Sequence, residues 1–96
     1  MEEEATWHVY LVRCADESLY TGIALDVERR FEEHESGVGA KYLRGRGPLE
    51  LVFSRAIGTR GDALRAEYRI KQLSRDDKEE LVSGAELAHV FEGLEA

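Results

Sequence analysis

The eight residues from Trp7 to Cys14, WHVYLVRC, constrain the fold of this 96-residue chain more than any other segment. β-Branched and aromatic residues dominate the run, and neither glycine nor proline interrupts it, which is the composition of a strand. Side chains alternate across a strand, so Trp7, Val9, Leu11 and Arg13 share one face and His8, Tyr10, Val12 and Cys14 the other. Ala15–Ser18 reads as a turn and Leu19–Gly22 as a strand that returns along the first, forming an antiparallel hairpin. A third strand is expected at Leu49–Ile57.

Helices fill the intervals. Asp26 opens the first, its carboxylate available to cap free amides. Val27, Arg30, Phe31 and His34 fall within about 100° of arc, so they share one face while Arg29 projects to the opposite side. Gly58–Gly61 breaks the chain before a second helix from about Asp62 to Leu73. On that helix Glu67 lies beside Ala63, Leu64 and Ile70, whereas Arg65 and Arg69 point away. A carboxylate next to an apolar arc needs solvent, a cation or a metal to offset desolvation. Ser74 caps a helix at Arg75–Val82, and a last helix-like segment covers Ala85–Leu94.

Composition sets the class. Hydrophobic residues at 43% and charged residues at 34% suit one packed domain rather than a disordered chain. A single cysteine excludes an internal disulfide, and with three scattered histidines it makes no standard structural zinc site. No apolar run approaches a membrane span, and the Met-Glu-Glu-Glu start is the reverse of a signal peptide, so a cytoplasmic protein without membrane partners is expected. The formal charge of −7 argues at first against a polyanionic ligand. Its distribution changes that reading. Residues 29–75 hold eleven of the thirteen basic residues against six acidic ones, a local balance of +5; the rest carries two against fourteen, or −12. A basic middle can track phosphates, although the same arginines also suit ordinary solvated helix faces.

Ser36–Pro48, SGVGAKYLRGRGP, combines four glycines with Lys41, Arg44 and Arg46. It reads either as a flexible loop or as backbone that approaches a phosphate closely among cations.

These residues, in this order, resemble the GIY-YIG nuclease family. Val9-Tyr10-Leu11 corresponds to the first signature tripeptide and Tyr20-Thr21-Gly22 to the second. Arg30 and His34 match the Arg-x-x-x-His pattern of the following helix, and Glu67 matches the later carboxylate. The chain is similar to the small UPF0213 or YhbQ-like branch, and through GAKYLRGRGPL to the nuclease domain of structure-specific endonucleases. The resemblance implies an α/β (α+β) fold with a small central three-stranded antiparallel sheet flanked by helices. It covers residues 7–82, with an acidic tail at 1–6 and a helical extension at 83–96 packed on or beside the domain.

The implied activity is metal-dependent endonuclease cleavage of DNA, at branched, flapped or damaged structures in repair or recombination. Tyr10 would serve as general base and Tyr20 would position water or phosphate. Arg30 would clamp the scissile phosphate, because a guanidinium offers two parallel donors. His34 would orient the attacking group or a phosphate oxygen. Glu67 would hold one Mg²⁺ or Mn²⁺ ion, both of which favour oxygen donors. Gly22, Lys41, Arg44 and Arg46 are expected to contact the nucleic acid. No second domain is legible, so a protein partner is expected to supply substrate selectivity. Two alternatives stay open: Arg30 and Glu67 paired with each other, and a non-catalytic nucleic-acid-binding or partner-binding module on a nuclease scaffold.

Overall fold

The computed structural model describes residues 5–85 and 87–94. The Glu2–Glu4 part of the acidic start, and the Glu86 and Glu95 positions of the C-terminal segment, lie outside the described residues. The elements run β1 (Trp7–Arg13), β2 (Leu19–Ala24), α1 (Val27–Ser36), β3 (Glu50–Gly58), α2 (Arg60–Lys71), α3 (Arg75–Val82) and α4 (Ala88–Phe91), with a short 3₁₀ turn at Lys41–Leu43.

β1 lies between β2 and β3 and pairs antiparallel with both, giving the expected three-stranded sheet. Its two faces are buried in two separate cores, and the alternation along the strand decides which residue enters which. Val9 and Leu11 join Ile57, Ala63, Ala66, Ile70, Leu81, Val90, Phe91 and Leu94 on the side of α2, α3 and α4. Tyr10, Val12 and Cys14 join Ala24 and Leu43 on the other side, covered by Val27 and Phe31 of α1 and by Ala40 of the glycine-rich loop. Both faces are therefore apolar, which explains a strand with no polar side.

The helix starts follow their caps. The Asp26 side chain accepts from the Arg29 amide at 3.1 Å, and Ser74 accepts from the Asp77 amide at 3.1 Å. α2 begins two residues before the expected Asp62, because Thr59 is the capping residue and accepts from the Asp62 amide at 3.1 Å. Asp62 instead sits in the first turn, where its charge suits the helix dipole. β2 extends two residues past Gly22, since Ile23 and Ala24 continue the pairing with Val9 and His8.

The C-terminal segment holds a shorter helix than its periodicity suggests. Among its described residues only Ala88–Phe91 is helical: Glu92 is extended, and Gly93 has a φ of 80°. Val90, Phe91 and Leu94 are nonetheless buried, and Arg69 of α2 donates to the carbonyls of Val90 at 3.2 Å and Glu92 at 2.7 Å. Arg55 of β3 lies over the Phe91 ring at 4.1 Å. Two of the eleven cations in the basic middle are thus engaged with this segment, away from the hairpin.

The far end of β1 is tied to α3 by charge. Arg13 donates from both terminal nitrogens to Glu79, each at 2.8 Å, and Arg75 adds a third bond at 3.0 Å. The Arg13 hydrogen bonds, followed by those of Arg75, hold the Glu79 carboxyl down at about 2 against an ordinary 4.5. A depressed carboxylate stabilises the fold above its unfolded value and loses that contribution as the pH falls through the folded one. Glu79→Gln is accordingly expected to melt below the wild type at neutral pH, with the gap closing between pH 4.5 and about 2. Thermal melts across that window check this, and a gap independent of pH contradicts it.

Candidate active site

The site lies on the α1 side of the hairpin, where β1 and β2 present aromatic rings to the helix. The register sets Tyr10 opposite Gly22 and Val12 opposite Tyr20. The two tyrosines are therefore diagonal neighbours on one face, with ring centroids 6.4 Å apart. Gly22 leaves the space they fill: a Cβ there would stand 2.6 Å from Tyr10 Oη, 2.7 Å from Tyr10 Cζ and 3.1 Å from the Tyr20 ring. The close approach that Gly22 permits is thus taken up by Tyr10 itself.

α1 brings His34 to the pair. His34 is buried at 3% exposure, with Nε2 2.7 Å from Tyr10 Oη and its ring centroid 5.6 Å from that of Tyr20. Its other nitrogen is held by the glycine-rich loop. Gly37 ends α1 with a φ of 89°, and the amides of Val38 and Gly39 both donate to the Glu33 carbonyl at 3.0 Å. That reversal carries the chain back over the helix end, where the Ala40 amide donates to His34 Nδ1 at 3.1 Å. Only glycine fits at 39, because a Cβ would run into His34 Nδ1 and stand 2.9 Å from the His34 backbone.

These contacts determine the proton positions. Nδ1 accepts from a backbone amide, so in the neutral ring the proton resides on Nε2. Nε2–H then donates to Tyr10 Oη, leaving the tyrosine its own O–H to offer elsewhere. Burial, followed by the Arg30 charge, lowers the His34 pKa below its ordinary 6.5 and keeps the ring neutral. Burial pushes the Tyr10 hydroxyl up to about 12, with Tyr20 adding to the rise and the adjacent Arg30 guanidinium pulling it back. Burial likewise raises Tyr20, opposed by Arg30 and Lys71.

Arg30 and Glu67 belong to this cluster but not to each other. Arg30 donates to Glu33 at 2.9 Å, one turn along α1, while Glu67 pairs with Lys71 at 3.4 Å on α2. The fields of both reach Tyr10 and Tyr20, Arg30 favouring the phenolates and Glu67 opposing them. The alternative of a direct Arg30–Glu67 ion pair is replaced by two short-range pairs within single helices. The Lys71 partner was readable from its position four residues beyond Glu67.

The loop cations divide. Lys41 and Arg44 are exposed. Arg46 is engaged internally: its guanidinium lies 4.2 Å from the Tyr42 ring centre, donates to the Tyr42 carbonyl at 2.7 Å and pairs with Asp16 at 3.2 Å. Tyr42 in turn stacks on Tyr20 at 5.8 Å. Tyr42, Gly39 and Ala40 are site residues to which the sequence reading gives no role; the GAKYLRGRGPL segment and its glycines were the signal.

Among the described residues, no three His, Cys, Asp or Glu side chains converge as a ready-made metal cage. Glu67 offers one partly exposed carboxylate, and hard oxygen is the donor that Mg²⁺ and Mn²⁺ prefer. Both ions commonly keep several waters and share substrate phosphate oxygens, so a single protein carboxylate fits their habit.

A hairpin face carrying two tyrosines, with an arginine and a histidine from the next helix and a glutamate from a later one, defines a class. Residues 6–80 match the GIY-YIG catalytic domain, and the chain belongs to that family. Within it the chain falls in the UPF0213 branch. It is 58% identical over 96 residues to a UPF0213 protein of Cronobacter sakazakii, covering 100% of this chain and 95% of that one. The UPF0213 protein YhbQ of Escherichia coli K12 is 57% identical over 90 residues, covering 93% and 90%. Among solved structures, the UPF0213 protein of Bacillus halodurans aligns with a TM-score of 0.54 at 47% identity, over 88% of this chain and 90% of that one. A protein from E. faecalis aligns at 0.58 with 36% identity, over 86% and 88%.

The packing of Gly22 is directly testable. Gly22→Ala forces the Tyr10 phenol off His34 and is expected to cost roughly 1–3 kcal/mol, the range for overpacking a filled core. Denaturant unfolding measures this, and wild-type stability contradicts the packing described.

Proposed function

We propose that this protein is a metal-dependent endonuclease that hydrolyses DNA phosphodiester bonds. The observation that carries the reading is the buried Tyr10–His34 hydrogen bond, bordered by Tyr20 and within the fields of Arg30 and Glu67. Family membership supports the nuclease scaffold, and the five side chains supply the groups that phosphodiester hydrolysis requires.

Arg30, 39% exposed, binds a non-bridging phosphate oxygen with a guanidinium that stays charged at any working pH. His34 holds Tyr10 rather than the phosphate, because both ring nitrogens are already committed inside the protein. Tyr10 acts as its phenolate, supported by the His34 Nε2–H bond, and accepts the proton that the attacking water loses as its oxygen bonds to phosphorus. The Arg30 guanidinium beside Tyr10 favours ionisation of the phenol. Tyr20 borders the same space and orders the water or a phosphate oxygen. Glu67 would hold one Mg²⁺ or Mn²⁺, which when bound supplies positive charge to the departing oxygen. Lys41 and Arg44 reach phosphates beyond the cut bond, and a separate protein partner selects the DNA structure.

A second reading, a nucleic-acid-binding module without catalysis, draws on one observation: the Tyr10 hydroxyl is pushed up to about 12 and so holds its proton at neutral pH. Cleavage decides between them. Wild type is expected to nick plasmid and branched DNA in Mg²⁺ or Mn²⁺, with Arg30→Ala and Glu67→Ala each slower by about 100- to 1000-fold. Equal nicking by all three sinks the assigned roles, and DNA binding without cutting under every metal and salt condition supports the binding module.

The pH profile tests Tyr10 separately. A phenol near 12 is a minority phenolate at neutral pH, so the cleavage rate is expected to rise up to about tenfold per unit from roughly pH 7 to 9. Tyr10→Phe removes the base while keeping the ring. A flat wild-type profile, or a Tyr10→Phe rate equal to wild type, contradicts the base assignment.

A further inference from the structure

A groove of about 410 Å³ lies beside the site, where the start of β1 meets the end of β2 and the first turns of α1 and α2. Its floor is apolar, built from Ile23, Ala24, Leu25 and Trp7, and Leu25 is 46% exposed although it is a large hydrophobic residue. Its rim carries Arg29, Arg30 and Arg60. Two carboxylates also line it, and both are engaged. Glu33 pairs with Arg30 at 2.9 Å and Arg29 at 3.6 Å, while Asp26 caps α1 through the Arg29 amide.

Arg60 is the unspent cation. It makes no ion pair among the described residues, and its guanidinium sits 5.5 Å from the centre of the Trp7 ring. It is also the first residue of α2, where a positive charge opposes the helix dipole. The helix therefore gains nothing from an arginine at this point. An indole beside a guanidinium, over an apolar floor with a cationic rim, matches what an unstacked base and its phosphate require. A base paired inside a duplex offers no free face to such a floor. Arg30 belongs to both places: it lines this groove and lies against Tyr10.

We infer that the groove formed by Trp7, Leu25, Arg29 and Arg60 binds one unpaired nucleotide of a nucleic-acid strand, next to the phosphate held by Arg30. The placement beside a scissile phosphate rests on the nuclease reading; the binding itself does not. The base lies on the apolar floor beside the Trp7 ring and the Arg60 guanidinium, and Arg29 neutralises the adjoining phosphate. A strand that is single-stranded or frayed at this point enters, and a continuous duplex does not.

Trp7 is the sole tryptophan of the chain, so its fluorescence reports this groove alone. The experiment titrates the full chain, without divalent metal, with short oligothymidylate, oligouridylate and a blunt duplex of equal length. Quenching by either single strand at concentrations at least about tenfold below the duplex is expected. Arg60→Ala is expected to weaken that binding about tenfold and Arg60→Glu further, with thermal melts no lower than wild type because a charge that opposes the helix dipole is removed. Equal quenching by duplex and single strands overturns the inference, as does wild-type affinity in Arg60→Glu. Cleavage is read separately with metal. Intact cleavage without Trp7 quenching removes the groove alone, whereas quenching without cleavage keeps the groove and removes the nuclease reading.

Discussion

One hydrogen bond ties the candidate site together: His34 Nε2 to Tyr10 Oη, at 2.7 Å, between the central strand and the first helix. Tyr10 cannot stand there unless residue 22 lacks a side chain, and His34 cannot keep its tautomer unless the loop delivers the Ala40 amide. The loop in turn passes only because residue 39 is glycine. Two glycines far apart in sequence thus serve one bond. Their common effect is to seat the Tyr10 hydroxyl against a histidine whose tautomer is fixed. An unsatisfied phenol or imidazole at this depth would cost about 1–3 kcal/mol, so the network also contributes to holding α1 against the sheet.

Electrostatics within the cluster oppose one another. Burial drives Tyr10 toward its neutral form, and Glu67 pushes the same way; Arg30 pulls back. A resting site with a protonated tyrosine and a neutral histidine follows, and the charge of an approaching substrate complex enters a pocket already biased by one arginine. The pairing of Arg30 with Glu33, and of Glu67 with Lys71, leaves the arginine and the carboxylate independent. In the proposed reaction each acts on a different part of a phosphodiester.

Much of this was legible before any coordinates. The period-two pattern of Trp7–Cys14 sets Val9 and Leu11 on one face and Tyr10 and Val12 on the other, and the structure buries each face in its own core. Asp26 and Ser74 cap as their residue types predict, and the wheel of α1 correctly set Val27, Phe31 and His34 on its buried side. Other features were hidden because they depend on tertiary contact. Nothing local in GVGAKY says that Gly39 passes His34 or that Tyr42 stacks on Tyr20. The charge count was right in sum and incomplete in placement. The basic middle does hold Arg29, Arg30 and Arg60 around one groove, but Arg55, Arg69 and Arg46 are engaged with Phe91, the Val90 and Glu92 carbonyls and Asp16. Thr59 rather than Asp62 opens α2 for the same kind of reason: both residue types cap, and the chain path selects one.

The state of the His34 ring is the most direct test of this account. Long-range nitrogen–proton NMR correlations of its imidazole distinguish the two neutral tautomers from the imidazolium. The account predicts a neutral ring protonated on Nε2 at neutral pH, titrating below the ordinary 6.5, and converted to an ordinary exposed histidine pattern in Gly39→Ala. A proton on Nδ1, or a charged ring at neutral pH, would mean that His34 does not donate to Tyr10 in the way described, and the account of the site would fail with it.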